Sequence, residues 1–473
     1  MNFTRDVVGT APAAAEALRT IDAFGHRRSW SFGELTDGSA HLAGTLQANG
    51  VRRGDVVMTL VGNRAEWVMT LLACFQSGAI ALPCTEQLRA KDLALRLRTA
   101  RPAAVVADER DLAELQAAAP DCPVILVDDP DLLAAAPLPP ADLAADDPAL
   151  MIFTSGTSGE PKAVVHGQRY LFGQTLQAEH WLDARPGELV WCTAAAGWSK
   201  SARNTFIAPW LRGARALLHE ARFDPAERLD IIESEEVRVL CMAPTEYRVI
   251  AKRAGLRRLA LRTAVAAGEA LGRETVENWL EEAGVFIRDG YGQTETGAVT
   301  AVAPGDEPRP GSMGRPLPGI RVEVIDSQLH VDPGSSPTFF LHYLGHARPE
   351  GLWTTGDLVE TDEEGYLWFR GRADDVIVSA GYRIGPTEVE EALCSHPAVA
   401  DAAVVGAADD ERGEIVRAVV VLQDGYAPAS ALTQALQEHV KTQTAPYKYP
   451  RIVEFADTLP RTASGKLRRA ALR

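Results

Sequence analysis

Three things are scarce in this chain, and each scarcity removes a class of protein. Cysteine is rare and scattered: Cys74, Cys84, Cys122, Cys192, Cys241 and Cys394 contain no CxxC pair. That argues against a disulfide framework and a zinc site, and for a reducing compartment. Long apolar runs are also missing. The most hydrophobic stretch, Val68 to Cys84, is interrupted by Gln76, Ser77, Gly78 and Pro83, and reads as a buried helix running into a strand, not a membrane span. Positive charge is in deficit, with 48 Lys and Arg against 64 Asp and Glu, a formal net charge of −16. Nucleic acid and anionic membrane are therefore not expected as partners, and an anionic ligand such as ATP needs locally placed cations. The opening residues Met1 to Asp6 show no basic-then-apolar leader pattern, so a cytoplasmic location is expected.

What is present suits a globular protein of at least two domains. The 473 residues are 46% hydrophobic and 24% charged, enough to bury sizeable cores. An Ala/Glu/Leu-rich segment near the start predicts a helix. Val56–Leu60, Ala103–Ala107 and Val124–Val127 read as buried strands between helical patterns. A second β/α run contains Val237–Cys241, Thr263–Ala267 and Val285–Arg288. Such alternation predicts mainly parallel sheets with helices on both faces. From about residue 312 shorter β runs, among them Val322–Ile325 and Phe339–Leu341, suggest a small antiparallel or barrel-like subdomain. After the charged break Gly371-Arg372-Ala373-Asp374-Asp375 the rest of the chain suffices for a small α+β domain.

The stretch Thr154-Ser155-Gly156-Thr157-Ser158-Gly159-Glu160-Pro161-Lys162 follows the apolar run Ala149–Phe153. Hydroxyls, glycine backbone and one ammonium at a strand end suit a polyphosphate. The spacing does not fit the Walker pattern. In open α/β sheets ligands bind beyond the carboxyl ends of strands, and the predicted loops at 154–162, 267–269 and 290–296 all occupy that position.

Four further stretches complete the pattern: Tyr291-Gly292-Gln293-Thr294-Glu295-Thr296, Thr355-Gly356-Asp357, Gly371–Asp375 and Pro460-Arg461-Thr462-Ala463-Ser464-Gly465-Lys466. In this order they closely resemble the adenylate-forming superfamily of acyl-CoA synthetases, stand-alone adenylation domains and firefly-type luciferases. The resemblance covers essentially the whole chain. Gly197-Trp198-Ser199-Lys200-Ser201, Ala380–Pro386 and Thr444–Pro450 look most like medium-chain acyl-CoA synthetases. It implies an α/β fold: two doubly wound subdomains and a small β-barrel-like one in a large AMP-binding domain (1–371), then a small mobile C-terminal domain (372–473) hinged near Asp374.

The implied chemistry is ATP-dependent acid–thiol ligation. A carboxylate attacks the α-phosphate of ATP, giving acyl-AMP and pyrophosphate, and the thiol of coenzyme A then displaces AMP. Because the first step brings two anions together, charge neutralisation and positioning dominate. The resemblance assigns Thr154, Ser155, Gly156, Thr157, Ser158 and Lys162 to the β- and γ-phosphates, and Thr294 to the α-phosphate. Glu295 would ligate Mg²⁺, a hard cation that takes oxygen ligands. Gly268, Glu269 and Tyr291 would line the adenine slot together with Gly292 and Gln293, while Asp357 and Arg372 would hold the ribose. Lys466 would bridge carboxylate and α-phosphate as a point charge. Swinging about Asp374 would withdraw it and bring Gly381 to a thiol channel, with Arg383 as a phosphate contact. Lys441, Lys448 and Arg451 are candidate contacts for the CoA nucleotide.

Trp198, Ala267, Gly290 and Gly292 are read as lining the acyl pocket. Acetate-activating relatives carry a bulky Trp where Gly292 stands, so a medium-chain, aromatic or bulky apolar acid is expected. No cation is obviously stationed for a second carboxylate. Two departures bear on substrate: the segment 326–350 lacks the usual GExxI pattern, and Ala195-Ala196 replaces an acidic residue before Gly-Trp. His166 reads as structural. The expected partners are a small carboxylic acid, ATP and CoA, with a homodimer also considered. The alternative is an acyl-AMP ligase loading a carrier-protein phosphopantetheine, or an enzyme performing mainly one half-reaction. A scaffold with decayed catalysis is disfavoured because Lys466, Glu295 and Asp357 are all present.

Overall fold

The strands Val56–Leu60, Ile80–Cys84 and Ala104–Ala107 are buried at every position, the pattern of parallel strands covered on both faces. They lie in a seven-stranded sheet ordered His342–Tyr343, Ala163–Gly167, Pro148–Phe153, Ile80–Cys84, Val56–Leu60, Ala104–Ala107, Val124–Leu126. The second sheet has nine strands, with Ile287–Gln293, Thr263–Ala267, Val239–Met242, Leu189–Cys192 and Arg215–His219 adjacent and parallel. Helix Ala65–Ser77 is apolar nearly all round and sits in the core, with Trp67 and Leu71 fully buried. The computed structural model describes residues 1–154, 161–269, 271–380, 382–409, 411–461 and 467–473, with Arg383 described by its backbone alone.

Three local expectations are overturned. The Ala/Glu/Leu-rich opening does not become a helix; Glu16–Ile21 is a strand. It pairs parallel with Arg215–His219 and antiparallel with Arg27–Ser31, so sheet pairing outweighs helix propensity. The stretch 290–296 is not an open loop. Strand Ile287–Gln293 runs through the motif and turns at Thr294-Glu295-Thr296 into the antiparallel Gly297–Ala301. Phe339-Phe340-Leu341 is irregular, and both Phe rings are fully buried, packing edge-on against Trp353 at 5.8 and 5.3 Å.

The small antiparallel sheet is present, ordered Val322–Ile325, Gln328–Val331, Trp353–Thr361, Leu367–Arg372. Beyond it, a five-stranded sheet with helices Pro386–Cys394 and Ser430–Gln443 encloses its own core around Val389, Val404, Val420 and Leu436. No described helix is long and apolar enough to cross a membrane.

Candidate active site

Strand ends of the nine-stranded sheet border a cleft of about 1830 Å³, lined also by residues of the C-terminal region. Asp357 is its best-organised feature. Strands Trp353–Thr361 and Leu367–Arg372 place Asp357 directly opposite Arg372. The carboxylate accepts from Arg372 Nη1 at 3.1 Å, Gln293 Nε2 at 2.9 Å and the Tyr291 hydroxyl. Thr355 O accepts from the same Gln293 and Arg372 at 2.8 and 3.0 Å, and Trp353 donates to Gln293 Oε1 at 3.1 Å. Burial and the Asp357 charge push the Tyr291 phenol well above its usual range, so it stays a donor. Arg372 Nε reaches the expected hinge residue Asp374 at 3.1 Å. Three motif residues from two stretches thus meet around the carboxylate supplied by a third.

A second cluster lines the same cleft. Thr154 N donates to Lys162 O at 2.9 Å, and Lys162 N to Thr154 Oγ1 at 3.2 Å. Lys162 Nζ stands 5.1 Å from the Tyr343 ring centroid, and the Tyr343 hydroxyl donates to Glu295 Oε1 at 2.8 Å. Thr294 and Glu295 both line the cleft. Ser155, Gly156, Thr157, Ser158, Gly381 and Lys466 lie outside the described residues, as does the Arg383 side chain.

The residues expected at adenine and at the acid border one continuous cleft. Gly268 has φ +98°, a conformation that glycine adopts freely, and Glu269 Oε2 accepts from Thr245 at 2.7 Å. Trp198 lines the cleft with Ala194, Ala195, Ala196 and Ala267. Its approach depends on Gly197, at φ +99°, where an added methyl group would sit 2.3 Å from the backbone nitrogen of Thr85. Gly197→Ala is therefore expected to cost about 2–4 kcal/mol of stability, measured by denaturant unfolding.

Gly290 and Gly292 line the cleft, but their smallness has another cause than the one read from sequence. A methyl group at Gly290 would meet the buried Trp181 ring at 2.7 Å, and one at Gly292 the Gly297 carbonyl oxygen at 1.8 Å. Neither glycine opens acyl space by lacking a side chain. Close packing requires both.

Of the CoA candidates, Lys448 is paired with Glu388, and Lys441 donates to Glu438 at 2.6 Å. His166 is structural in its surroundings, fully buried with its ring 3.9 Å from that of Tyr170. Burial and the Arg203 charge push its imidazole from 6.5 down to about 3. A depressed value means the neutral ring's stabilisation is complete above pH 6.5 and lost as pH falls toward 3. Over that window the unfolding midpoint should fall less steeply in His166→Phe than in the unsubstituted protein.

Sequence reasoning missed Tyr343 and Asp289. Tyr343 lies in the stretch whose usual pattern is absent, so nothing marked it. Asp289 lines the cleft 7% exposed, one oxygen accepting from Gly290 N at 2.8 Å. Burial pushes its carboxyl well above the usual range. Its place two residues before Tyr291 on a buried strand was the available signal.

A doubly wound large domain with a cleft at its strand ends, gathering these motifs, defines an adenylate-forming enzyme. Comparison with known proteins gives the same class. The AMP-binding enzyme family model matches residues 6–336, and that of the AMP-binding enzyme C-terminal domain residues 388–466. The uncharacterized acyl-CoA ligase YtcI of Bacillus subtilis (strain 168) is 39% identical, covering 98% of this chain and 94% of that protein. The mitochondrial acyl-coenzyme A synthetase ACSM4 of Rattus norvegicus is 36% identical over 100% and 90%. Among solved structures, a benzoate CoA ligase from Burkholderia xenovorans LB400 superposes with TM-score 0.88 at 27% identity, covering 100% of both chains. The anthranilate CoA ligase AuaEII, in complex with anthranoyl-AMP, gives TM-score 0.89 at 27% identity over 100% and 96%. The chain belongs to the AMP-binding enzyme family and is an AMP-forming acyl-CoA ligase, with ATP, a carboxylic acid and CoA as its small-molecule substrates.

Proposed function

We propose that the cleft adenylates a carboxylic acid larger than acetate and then passes the acyl group to CoA. The observation that carries the adenylation is the convergence of Tyr291, Gln293 and Arg372 on Asp357, in one cleft with the Lys162–Tyr343–Glu295 cluster. The size of the acid is supported by the short side chains of Ala194, Ala195, Ala196 and Ala267 that line the cleft with Trp198. Asp357 and Arg372 hold the ribose, Thr294 the α-phosphate, and Thr154 and Lys162 the leaving pyrophosphate. Ser155, Gly156, Thr157 and Ser158 complete the pyrophosphate contacts. Gly268, Glu269, Gly292 and the Tyr291 ring enclose adenine, with Asp289 facing its amine. Trp198 and Ala267 border the acid, and Lys466 bridges its carboxylate to the α-phosphate.

Mg²⁺ fits this arrangement. Among the described residues no group of three or more His, Cys, Asp or Glu could hold a metal ion, and Mg²⁺ commonly takes one or two carboxylates plus substrate phosphates. Glu295, oriented by Tyr343, is that carboxylate. When bound, the ion neutralises phosphate charge.

The chain divides at about residue 371, and the small domain turns about Asp374 between the half-reactions. The two family models match on either side of this point. Turning brings Gly381 to the thiol path and Arg383 to a phosphate of CoA.

The test is a panel of C2–C12 and aromatic acids with ATP, with Mg²⁺ or EDTA. Pyrophosphate release with hydroxylamine as acceptor reads the first step, and thioester formation with CoA the second. Mg²⁺-dependent signal in both arms is expected. Hydroxamate without thioester would redirect the reading to a carrier-protein acceptor, and acetate as the best acid would overturn the pocket.

A further inference from the structure

The acyl side of the cleft holds two cations that form no ion pair with a carboxylate among the described residues. After Trp198 the chain turns through helical residues Ser199–Ala202 and Arg203–Ile207. Lys200 and Arg203 are three apart and so share one face, and both line the cleft. Arg203 is 7% exposed, and its Nε and Nη1 are buried without a hydrogen-bond partner. Among the described residues no carboxylate pairs with it.

Two other arginines are buried among the described residues: Arg228 lies 3.5 Å from Glu246, and Arg288 donates from Nη2 to the Trp181 carbonyl at 2.7 Å. Around Arg203 stand instead the Tyr170 phenol, the His166 ring held neutral, and Cys241, whose Sγ accepts from Asn204 Nδ2 at 3.5 Å. Lys200 Nζ donates to the Ala267 carbonyl at 3.1 Å and has no acidic partner among the described residues. Beside the two cations the strand ends present Cys192 opposite Cys241, and Ala267 on the next strand.

A buried, uncompensated guanidinium is costly. Its planar fork matches the paired oxygens of a carboxylate and can also donate to a single carbonyl. We propose that Arg203, with Lys200 beside it, receives a hydrogen-bond-accepting oxygen on the tail of the acid. The preferred substrate then carries a second carboxylate or a carbonyl group apart from the carboxylate that reacts. This rests on the reading that the acid lies between Trp198 and Ala267. It corrects the expectation that no cation is stationed there. Apolar walls fix the tail's spacing and the arginine fixes its end.

The experiment compares matched trios of acids at C4–C12, each a simple monocarboxylate, its oxo-acid and its dicarboxylate, with the corresponding benzoates. Acid-dependent pyrophosphate release is measured for the unsubstituted protein, Arg203→Met and Arg203→Lys. An oxygenated acid should exceed its hydrocarbon match by at least about 100-fold in kcat/KM, and the oxo and dicarboxylate arms tell which oxygen is read. Arg203→Met should erase that preference with the KM for ATP unchanged, and Arg203→Lys should keep part of it. Equal or better use of the plain hydrocarbon acids by the unsubstituted protein overturns the inference while leaving the ligase reading intact, and needs no variant to fold. A preference that survives in Arg203→Met overturns the role of this residue. Silence with every acid overturns both readings.

Discussion

Asp357→Ala is expected to lower acid-dependent pyrophosphate release by about 100-fold or more, with the KM for ATP rising and the KM for CoA little changed. The carboxylate accepts from Arg372, Gln293 and Tyr291, and of these Gln293 and Arg372 would keep only the Thr355 carbonyl and Asp374. Removing it leaves a guanidinium and a phenol facing each other in a buried site, and removes the proposed acceptor for the ribose hydroxyls. Asp357→Asn keeps the size and one acceptor oxygen, so its loss should be smaller. Steady-state kinetics at varied ATP separate these outcomes. If Asp357→Ala left the KM for ATP and the rate within two- or threefold, as order-of-magnitude limits, the ribose assignment would fail.

Lys466→Ala should have the larger effect on rate, about 1000-fold on adenylation. Thioester formation from supplied acyl-AMP should remain within a few-fold. The reason is electrostatic. A carboxylate must approach a triphosphate in a protein of formal net charge −16, so each local cation carries much of the barrier lowering. Lysine supplies a compact point charge for that purpose. Measuring the two half-reactions separately distinguishes this from general damage, which would slow both.

Much of the site was legible in the sequence because its chemistry is concentrated in short stretches. Asp357 and Arg372 are assigned to the ribose from two motifs, and the structure brings them into one ion pair at 3.1 Å. The α/β architecture was readable from the alternation of apolar runs with helical patterns. What was not legible depended on contacts distant in the chain. Glu16–Ile21 is a strand because two other strands pair with it. Gly290 and Gly292 read as open space, yet each is small because Trp181 or Gly297 occupies the volume a side chain would need. Tyr343 orients Glu295 from 48 residues away, within a stretch lacking the family pattern. No motif marks Arg203 in the sequence; its burial and its two buried guanidinium nitrogens without a hydrogen-bond partner emerge only in the fold.

The most direct test of the central claim is acid-dependent ATP–pyrophosphate exchange without CoA. An adenylating cleft that works in two steps must incorporate labelled pyrophosphate into ATP when its acid and Mg²⁺ are present, before any thiol is added. Exchange that needs the acid, needs no CoA and collapses in Asp357→Ala is the predicted result. Cleavage of ATP to ADP and phosphate, or exchange that appears only when CoA is added, would contradict it.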